Sequence, residues 1–360
     1  MRVISVISLP STVFLRQDIA SMKISTVITL YNLEKYIDDA IRSVLGQIRQ
    51  SDEIIVVDDS STDGSADIVT KYRDRVVYIK QKENIGALRN SLSGLKAATG
   101  DIVAFLDGDD VWMPKKLEAI EKEFLQDEEV VIVSHDFIRV DEDLHDLNIL
   151  DETRLNTQRI TKSYAKKDWN EKMREAILFR KGFWLGSAYA LRKKAIPLER
   201  FERLIAQDPA ATHLSYLDMT LAPFLVASNQ NSKVGFVNEV LFKHRVHGNN
   251  SNSTFSSRSL EKALSTVARW QSVHTTTYRL IADTLTDKKI EKRYTNFYEA
   301  LELIKLQYTG KKVKAIGKFI SLLPLLIRQK TIGREFMRLV ATTFFGAEAF
   351  IRWNTKRKSK

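Results

Sequence analysis

Asp101-Ile-Val-Ala-Phe-Leu-Asp-Gly-Asp-Asp110 joins a short apolar run to three carboxylates within four positions, Asp107, Asp109 and Asp110. Ile102 to Leu106 has the composition of a buried strand. Like charges this close raise one another's pKa unless something balances them. A strand ending in such a cluster presents it to a cation. Hard oxygen ligands suit Mg²⁺ or Mn²⁺, which in turn hold phosphate oxygens. The competing reading is a polar turn after a strand, and the flanking sequence decides between them.

Upstream, Lys23 to Leu30 is apolar and β-branched and ends at Tyr31-Asn32. Leu33, Ile37, Ile41, Val44 and Leu45 then recur at helical spacing. Ile54 to Val57 is a second strand, closing on Asp58-Asp-Ser-Ser-Thr-Asp-Gly64, with a helix from Ser65 to Tyr72. Val76 to Ile79 is a third, followed by Asn84-Ile-Gly86 and a helix bearing Leu88, Leu92 and Leu95. After the fourth strand, Pro114 suits the first turn of a helix, and Glu129 to Ser134 reads as a fifth strand. Strands alternating with helices predict a mostly parallel α/β sheet flanked by helices. Ligands bind beyond the carboxyl ends of such strands. Tyr31-Asn32, Asp58-Asp59 and Asp107 to Asp110 should therefore share one rim.

Residues 141–180 read as loop plus a helix near Trp169 to Phe179, Ala188 to Leu191 as a short strand, and Ser215 to Ala227 as a helix with Asp218 near its start. Val234 to Val246 is strand-like and leads into Arg245-Val-His247. A Ser/Asn-rich linker at 249–257 precedes a helical, basic, amphipathic remainder, with Ile316, Phe319, Ile320, Leu323, Leu326 and Ile327 as its apolar stripe. Residues 1–21 read as a disordered extension or as an over-extended start before Met22.

Of 360 residues 44% are hydrophobic, enough for a packed core of more than one domain. Cysteine is absent, which excludes disulfides, thiol catalysis and zinc–thiolate sites and fits a cytoplasmic setting. Residues 255–360 carry 22 Lys/Arg against 8 Asp/Glu, whereas the whole chain has a net charge of +11, so the excess lies in the tail. Such a tail suits an anionic partner, a membrane surface or nucleic acid.

The chain to about residue 250 resembles the inverting family 2 glycosyltransferases with the GT-A nucleotide-sugar-binding fold. The matching pieces, in order, are Ser25 to Asn32, Glu34-Lys-Tyr36, Ser43 to Gln47, Val57 to Gly64, Asn84-Ile-Gly86 with Arg89-Asn90, and Phe105 to Asp110 with Trp112 and Pro114. Later, Asp218 and Arg245-Val-His247 are recognisable. Thr29-Leu30 stands where many members carry a proline, and Leu217-Asp218 where an acidic pair is usual. The resemblance implies a GT-A domain over 22–250, nucleotide-binding over 22–135 and acceptor-binding over 136–250. A basic amphipathic helical region follows over 258–360, of a kind often peripheral on the cytoplasmic face of a membrane.

It also implies roles. Tyr31 would stack on a base, and Asp58 and Asp59 would accept hydrogen bonds from ribose or base. Thr29 and Arg89 would lie among the nucleotide contacts, Arg89 paired with diphosphate or with the acidic cluster. Asp109 and Asp110 would hold the metal directly or through water, with Asp107 nearer the nucleotide or sugar. His247 would be a further ligand or a diphosphate contact, and Asp218 the general base. The donor would be a nucleoside-diphosphate sugar, the cofactor Mg²⁺ or Mn²⁺, and the acceptor a glycan, lipid-linked or polyprenyl-phosphate hydroxyl. Two other readings are an aspartate-dependent phosphohydrolase using Asp107 and Asp109, and a basic nucleic-acid-binding protein. The first expects its motif on the first strand, and no recognised motif supports the second.

Overall fold

A computed structural model describes residues 21–149, 152–179, 186–248, 259–285 and 287–358. The expected extension before Met22, apart from Ser21, and the linker at 249–257 lie outside these residues. Eight strands form one sheet: β1 (Ile24–Leu30), β2 (Glu53–Asp58), β3 (Val77–Lys80), β4 (Ile102–Asp107), β5 (Val111–Trp112), β6 (Val130–Val140), β7 (Ala190–Arg192) and β8 (Lys233–Arg245). Their order is β3-β2-β1-β4-β7-β6-β8-β5. The pairs among β1 to β4 are parallel, whereas β7 is antiparallel to β4 and β6, and β5 is antiparallel to β8.

Alternation along buried strands builds a core on each face. Val27, Val57, Val103 and Phe105 pack with Leu88, Leu92 and Leu95 of α3 (Ala87–Ala97). Ile24, Ile28, Val56, Ala104 and Leu106 point the other way. They meet Ile37, Ile41 and Val44 of α1 (Ile37–Leu45) and Leu117, Ile120 and Phe124 of α4 (Lys116–Gln126). The short α2 (Ser65–Thr70) follows β2. Because β1 is central, register fixes the rim. Leu30 faces Asp58 on one side, and Thr29 faces Asp107 on the other. The three polar strand ends therefore do share one edge.

The structure departs from the sequence reading where periodicity is weak. β6 runs to Val140, past the expected end at Ser134, because β8 pairs with it along its length. Its polar second half is accommodated by register shifts around Asp136. Between β6 and β8 lie α5 (Glu152–Ser163), α6 (Lys166–Leu178), α7 (Leu198–Ala206), α8 (Pro209–His213) and α9 (Leu217–Ser228), where only a helix near Trp169 and one from Ser215 were foreseen.

The helices beyond the linker are α10 (Leu260–Ala282), α11 (Lys288–Tyr308), α12 (Lys312–Ser321), α13 (Leu323–Arg328), α14 (Ile332–Phe345) and α15 (Ala347–Lys358). α10 packs on α8 and α9. Thr277 Oγ1 donates to the Met219 carbonyl at 2.9 Å, and Arg279 pairs with Asp208 at 2.8 Å. Leu303, Ala315, Phe319, Leu322, Leu326 and Leu339 form a separate small core among α11 to α14. The expected stripe is thus split: Phe319 and Leu326 are buried, whereas Ile316, Ile320 and Ile327 face solvent.

The α3–sheet contact is tight at Gly94, where an added Cβ would lie 2.4 Å from Val27 Cγ1 and 3.2 Å from Val57 Cγ1. Both neighbours are β-branched and cannot swing aside. Gly94→Ala should lower stability by about 1–3 kcal/mol despite better helix propensity. A urea midpoint equal to or above that of the parent would contradict this packing.

Candidate active site

At the end of β4 each carboxylate is held differently. Asp107 accepts from Thr29 Oγ1 at 2.9 Å through Oδ1, and its N–H donates to Ser187 Oγ at 3.0 Å. Its carboxyl faces the open cleft, yet protein crowds it. Loss of bulk solvation first, and Asp109 second, raise its pKa to about 6, against the pull of the Thr29 hydroxyl and the more distant Lys116 charge. The turn then crosses the end of β1, with Gly108 N–H donating to the Thr29 carbonyl at 2.9 Å. A Cβ at Gly108 would stand 2.7 Å from that same oxygen, so the crossing needs glycine. Asp109 Oδ2 meets His247 Nε2 at 3.0 Å, and His247 packs on Tyr36 with ring centroids 4.6 Å apart.

Asp110 is turned inward. Its oxygens accept from Ser187 Oγ at 2.6 Å and from the Arg245 N–H at 2.9 Å. Burial, followed by repulsion from Asp109 and Asp107, pushes its pKa well above the carboxylate range. Beneath it lies Lys116, completely buried, its Nζ 3.9 Å from the Trp112 ring centroid and donating to the Ser187 carbonyl. Burial depresses the ammonium pKa, while attraction to Asp110 and Asp107 opposes that. Trp112 Nε1 donates to the same carbonyl at 3.1 Å. Ser187 therefore joins the acidic turn through its hydroxyl and the Trp112–Lys116 pair through its carbonyl. Sequence reasoning missed Lys116 and Ser187, since a lysine at the start of an amphipathic helix ordinarily reads as solvent-exposed.

At the end of β2 the acidic pair is held from within the protein. Asp58 is fully buried, its oxygens accepting from Ser61 N–H at 2.7 Å and from Tyr78 Oη at 2.6 Å. Asp59 accepts from the N–H groups of Ile85 and Gly86 at 2.8 and 3.0 Å. Burial raises the Asp59 pKa, and those two donors oppose the shift. Both side chains thus tie down the rim loops, and of the two only Asp59 lines the cleft. Asn32, at φ 52°, accepts from Thr62 N–H at 2.8 Å, and Glu34 accepts from Gly64 N–H at 2.8 Å, stitching the loops after β1 and β2 together. Tyr31 is 47% exposed above them. Arg89 does not reach the cleft, whereas Asn90 and Ser91 beside it do.

The cleft holds about 390 Å³, and its far wall comes from the loop into α9 and from α10. Asp218, in the first turn of α9, and Asp107 both lie beside Gly186. A Cβ built there would lie 3.6 Å from Asp107 Oδ2 and 3.8 Å from Asp218 Cβ. Thr29, Tyr31, Asp59, Asp107, Asp109, Asp110, Asp218 and His247 all line this cleft. Among the described residues no three His, Asp or Glu side chains converge as a closed metal shell. Asp109 and His247, hydrogen-bonded to each other, bring to the cleft wall an oxygen and a nitrogen of the kinds that a divalent cation takes. Asp110, expected beside them, has both oxygens engaged inside the protein.

A curled, mostly parallel sheet with an acidic turn at its carboxyl rim and a helical region behind it defines a GT-A fold. Residues 25–193 match the family described as Glycosyl transferase family 2. An uncharacterized glycosyltransferase of Nostoc sp. is 45% identical over 119 residues, 32% of this chain and 36% of that protein. The Escherichia coli UDP-Glc:alpha-D-GlcNAc-diphosphoundecaprenol beta-1,3-glucosyltransferase WfaP is 40% identical over 95 residues, 26% of this chain and 38% of that one. The chain thus spans little more than a third of the length of these relatives. A crystal structure of S. aureus TarS with UDP superposes with a TM-score of 0.51 at 16% identity, covering 94% of this chain and 92% of that one. Residues 25–193 thus carry a segment of the family 2 glycosyltransferase type.

Arg245 holds the rim from behind. Its side chain, 3% exposed, pairs with Asp39 at 2.8 Å. It also donates to the carbonyls of Asp109 and Glu142 at 2.9 and 2.5 Å and lies 4.8 Å over the Tyr36 ring. Arg245→Ala should cost about 2–4 kcal/mol, and Arg245→Lys should recover little, because an ammonium cannot span three acceptors in a plane. Urea unfolding of both variants tests this; full recovery by lysine would show that charge alone matters.

Proposed function

We propose that the protein is an inverting glycosyltransferase that moves a sugar from a nucleoside-diphosphate sugar to an acceptor hydroxyl in glycolipid, polysaccharide or glycoprotein-glycan assembly. The observation that carries this reading is that Asp107 and Asp218 line one cleft beside Gly186 at the carboxyl rim of the sheet. Donor and acceptor would meet between them. Asp218 accepts the acceptor hydroxyl proton as that oxygen attacks the anomeric carbon, and the bond to the diphosphate breaks on the opposite face. Such a base contributes about 10²–10⁴-fold. Thr29 holds Asp107 toward the sugar, and Tyr31 offers its exposed ring to the base. A divalent cation held by Asp109 and His247, Mn²⁺ or Mg²⁺, would neutralise charge on the leaving diphosphate.

The named donor and acceptor of the Escherichia coli relative favour a UDP-sugar and a lipid-linked diphosphate acceptor. In a thermal-shift panel of UDP, GDP, CDP and dTDP sugars with Mn²⁺ or Mg²⁺, one nucleotide class should stabilise the protein in a metal-dependent way. Asp218→Asn should keep that shift yet lose about 10²–10⁴-fold in transfer. Transfer within tenfold of wild type would place the base elsewhere.

The tail supports a peripheral membrane reading. No described helix is long and apolar enough to cross a bilayer. Val313, Ile320, Ile327, Phe344 and Phe345 are nevertheless exposed, with Lys312, Lys314, Arg328 and Lys330 exposed among them. Apolar side chains flanked by cations suit an anionic bilayer surface. Wild-type protein should pellet with phosphatidylglycerol vesicles and less with phosphatidylcholine, and replacing both Phe344 and Phe345 by Glu should cut recovery several-fold. Equal recovery of variant and parent would remove the surface from the mechanism.

A further inference from the structure

Asp59, Asp107, Asp109, Asp110 and Asp218 line the cleft, and Arg269 is the only lysine or arginine among the described residues that line it. Arg269 comes from α10, beyond the segment that matches the family. Its Nη1 donates to Tyr216 Oη at 2.8 Å, and Tyr216 directly precedes α9, two residues before Asp218. The cation therefore sits on the Asp218 side of the cleft. α10 is firmly held there, since Val267 and Val273 are buried and Thr277 bonds the Met219 carbonyl.

We infer that Arg269 forms an anion-recognising subsite for the acceptor, and that the acceptor carries a phosphoryl group close to the hydroxyl that is glycosylated. This rests on Asp218 marking the acceptor side. A neutral acceptor would gain less than an anionic one from a half-buried guanidinium at this point. An anionic one would be repelled by the carboxylates unless a cation lay along its path. Guanidinium presents planar donors that match phosphate and carboxylate oxygens, and charge-assisted bonds of this kind are about twice as strong as neutral ones. A phosphoryl group, carrying more charge than a carboxylate, gains more from one cation. The helical region would then contribute to the choice of acceptor as well as to a surface for docking.

The test uses the full chain with the donor side saturated by UDP and Mn²⁺. Calorimetric titration compares N-acetylglucosamine 1-phosphate, glucuronic acid and N-acetylglucosamine against wild type, Arg269→Gln and Arg269→Lys. Wild type should bind the phosphate at least about tenfold more tightly than the neutral sugar, with the carboxylate between them. Arg269→Gln should lose the discrimination, Arg269→Lys should keep only the part that charge alone supplies, and UDP affinity should stay unchanged in both. Unchanged discrimination in Arg269→Gln would overturn the inference. So would weakened UDP binding, which would move Arg269 to the donor side, or a wild type that does not prefer the phosphate. Failure of the wild type to bind UDP is a separate outcome that overturns the glycosyltransferase reading and, with it, this subsite.

Discussion

Three carboxylates in four residues at the end of a buried strand impose the constraint around which this fold closes. At an effective dielectric near 20, two like charges 4 Å apart repel by about 4 kcal/mol. Distant elements relieve that repulsion. Thr29 of β1 takes Asp107, His247 beyond β8 takes Asp109, and the Arg245 N–H together with Ser187 takes Asp110. Lys116 of α4 lies below, donating to the Ser187 carbonyl. Strands remote in sequence converge on this turn, so anchoring the acidic loop also fixes the sheet edge that frames the cleft.

The division of labour among the carboxylates follows from how each is solvated. Asp107 and Asp109 keep oxygens toward the cleft and can respond to a ligand. Asp110 is committed to internal donors and serves the shape of the turn. Asp58 and Asp59 repeat the pattern at the end of β2. Asp58 is buried against Tyr78 and Ser61, and Asp59 caps the loop into α3. An adjacent acidic pair at a strand end can thus be structural in the protein alone, because rim loops carry many backbone N–H groups that need acceptors.

The helical region after the linker is tied into the site. α10 shares hydrogen bonds with α9 and brings Arg269 to the wall of the cleft, while α11 to α14 build their own core and leave apolar and cationic side chains outside. One region therefore bears both on the Asp218 side of the cleft and on an external surface.

The amino-acid sequence by itself determined the first half of the sheet. β1 to β4 are β-branched or apolar runs with turn residues at their ends, and the two helices with clear apolar periods, α1 and α3, lie where that spacing puts them. It also put the strand-end clusters at Tyr31, Asp58 and Asp107 on one rim, and the resemblance to a known family added Asp218 and His247, which line the cleft with Asp107 and Asp109. Tertiary structure alone decided the rest. A two-residue strand such as β5 has no period to read. The polar second half of β6 becomes strand because β8 offers it a partner. A lysine is buried at Lys116 because Trp112 and the Ser187 carbonyl receive it. Whether a strand-end carboxylate lines the cleft with an oxygen to spare or is committed to the protein, the question that separates Asp107 from Asp110, depends on which donors the folded chain brings within 3 Å. No local pattern encodes those donors, since they come from elements distant in sequence.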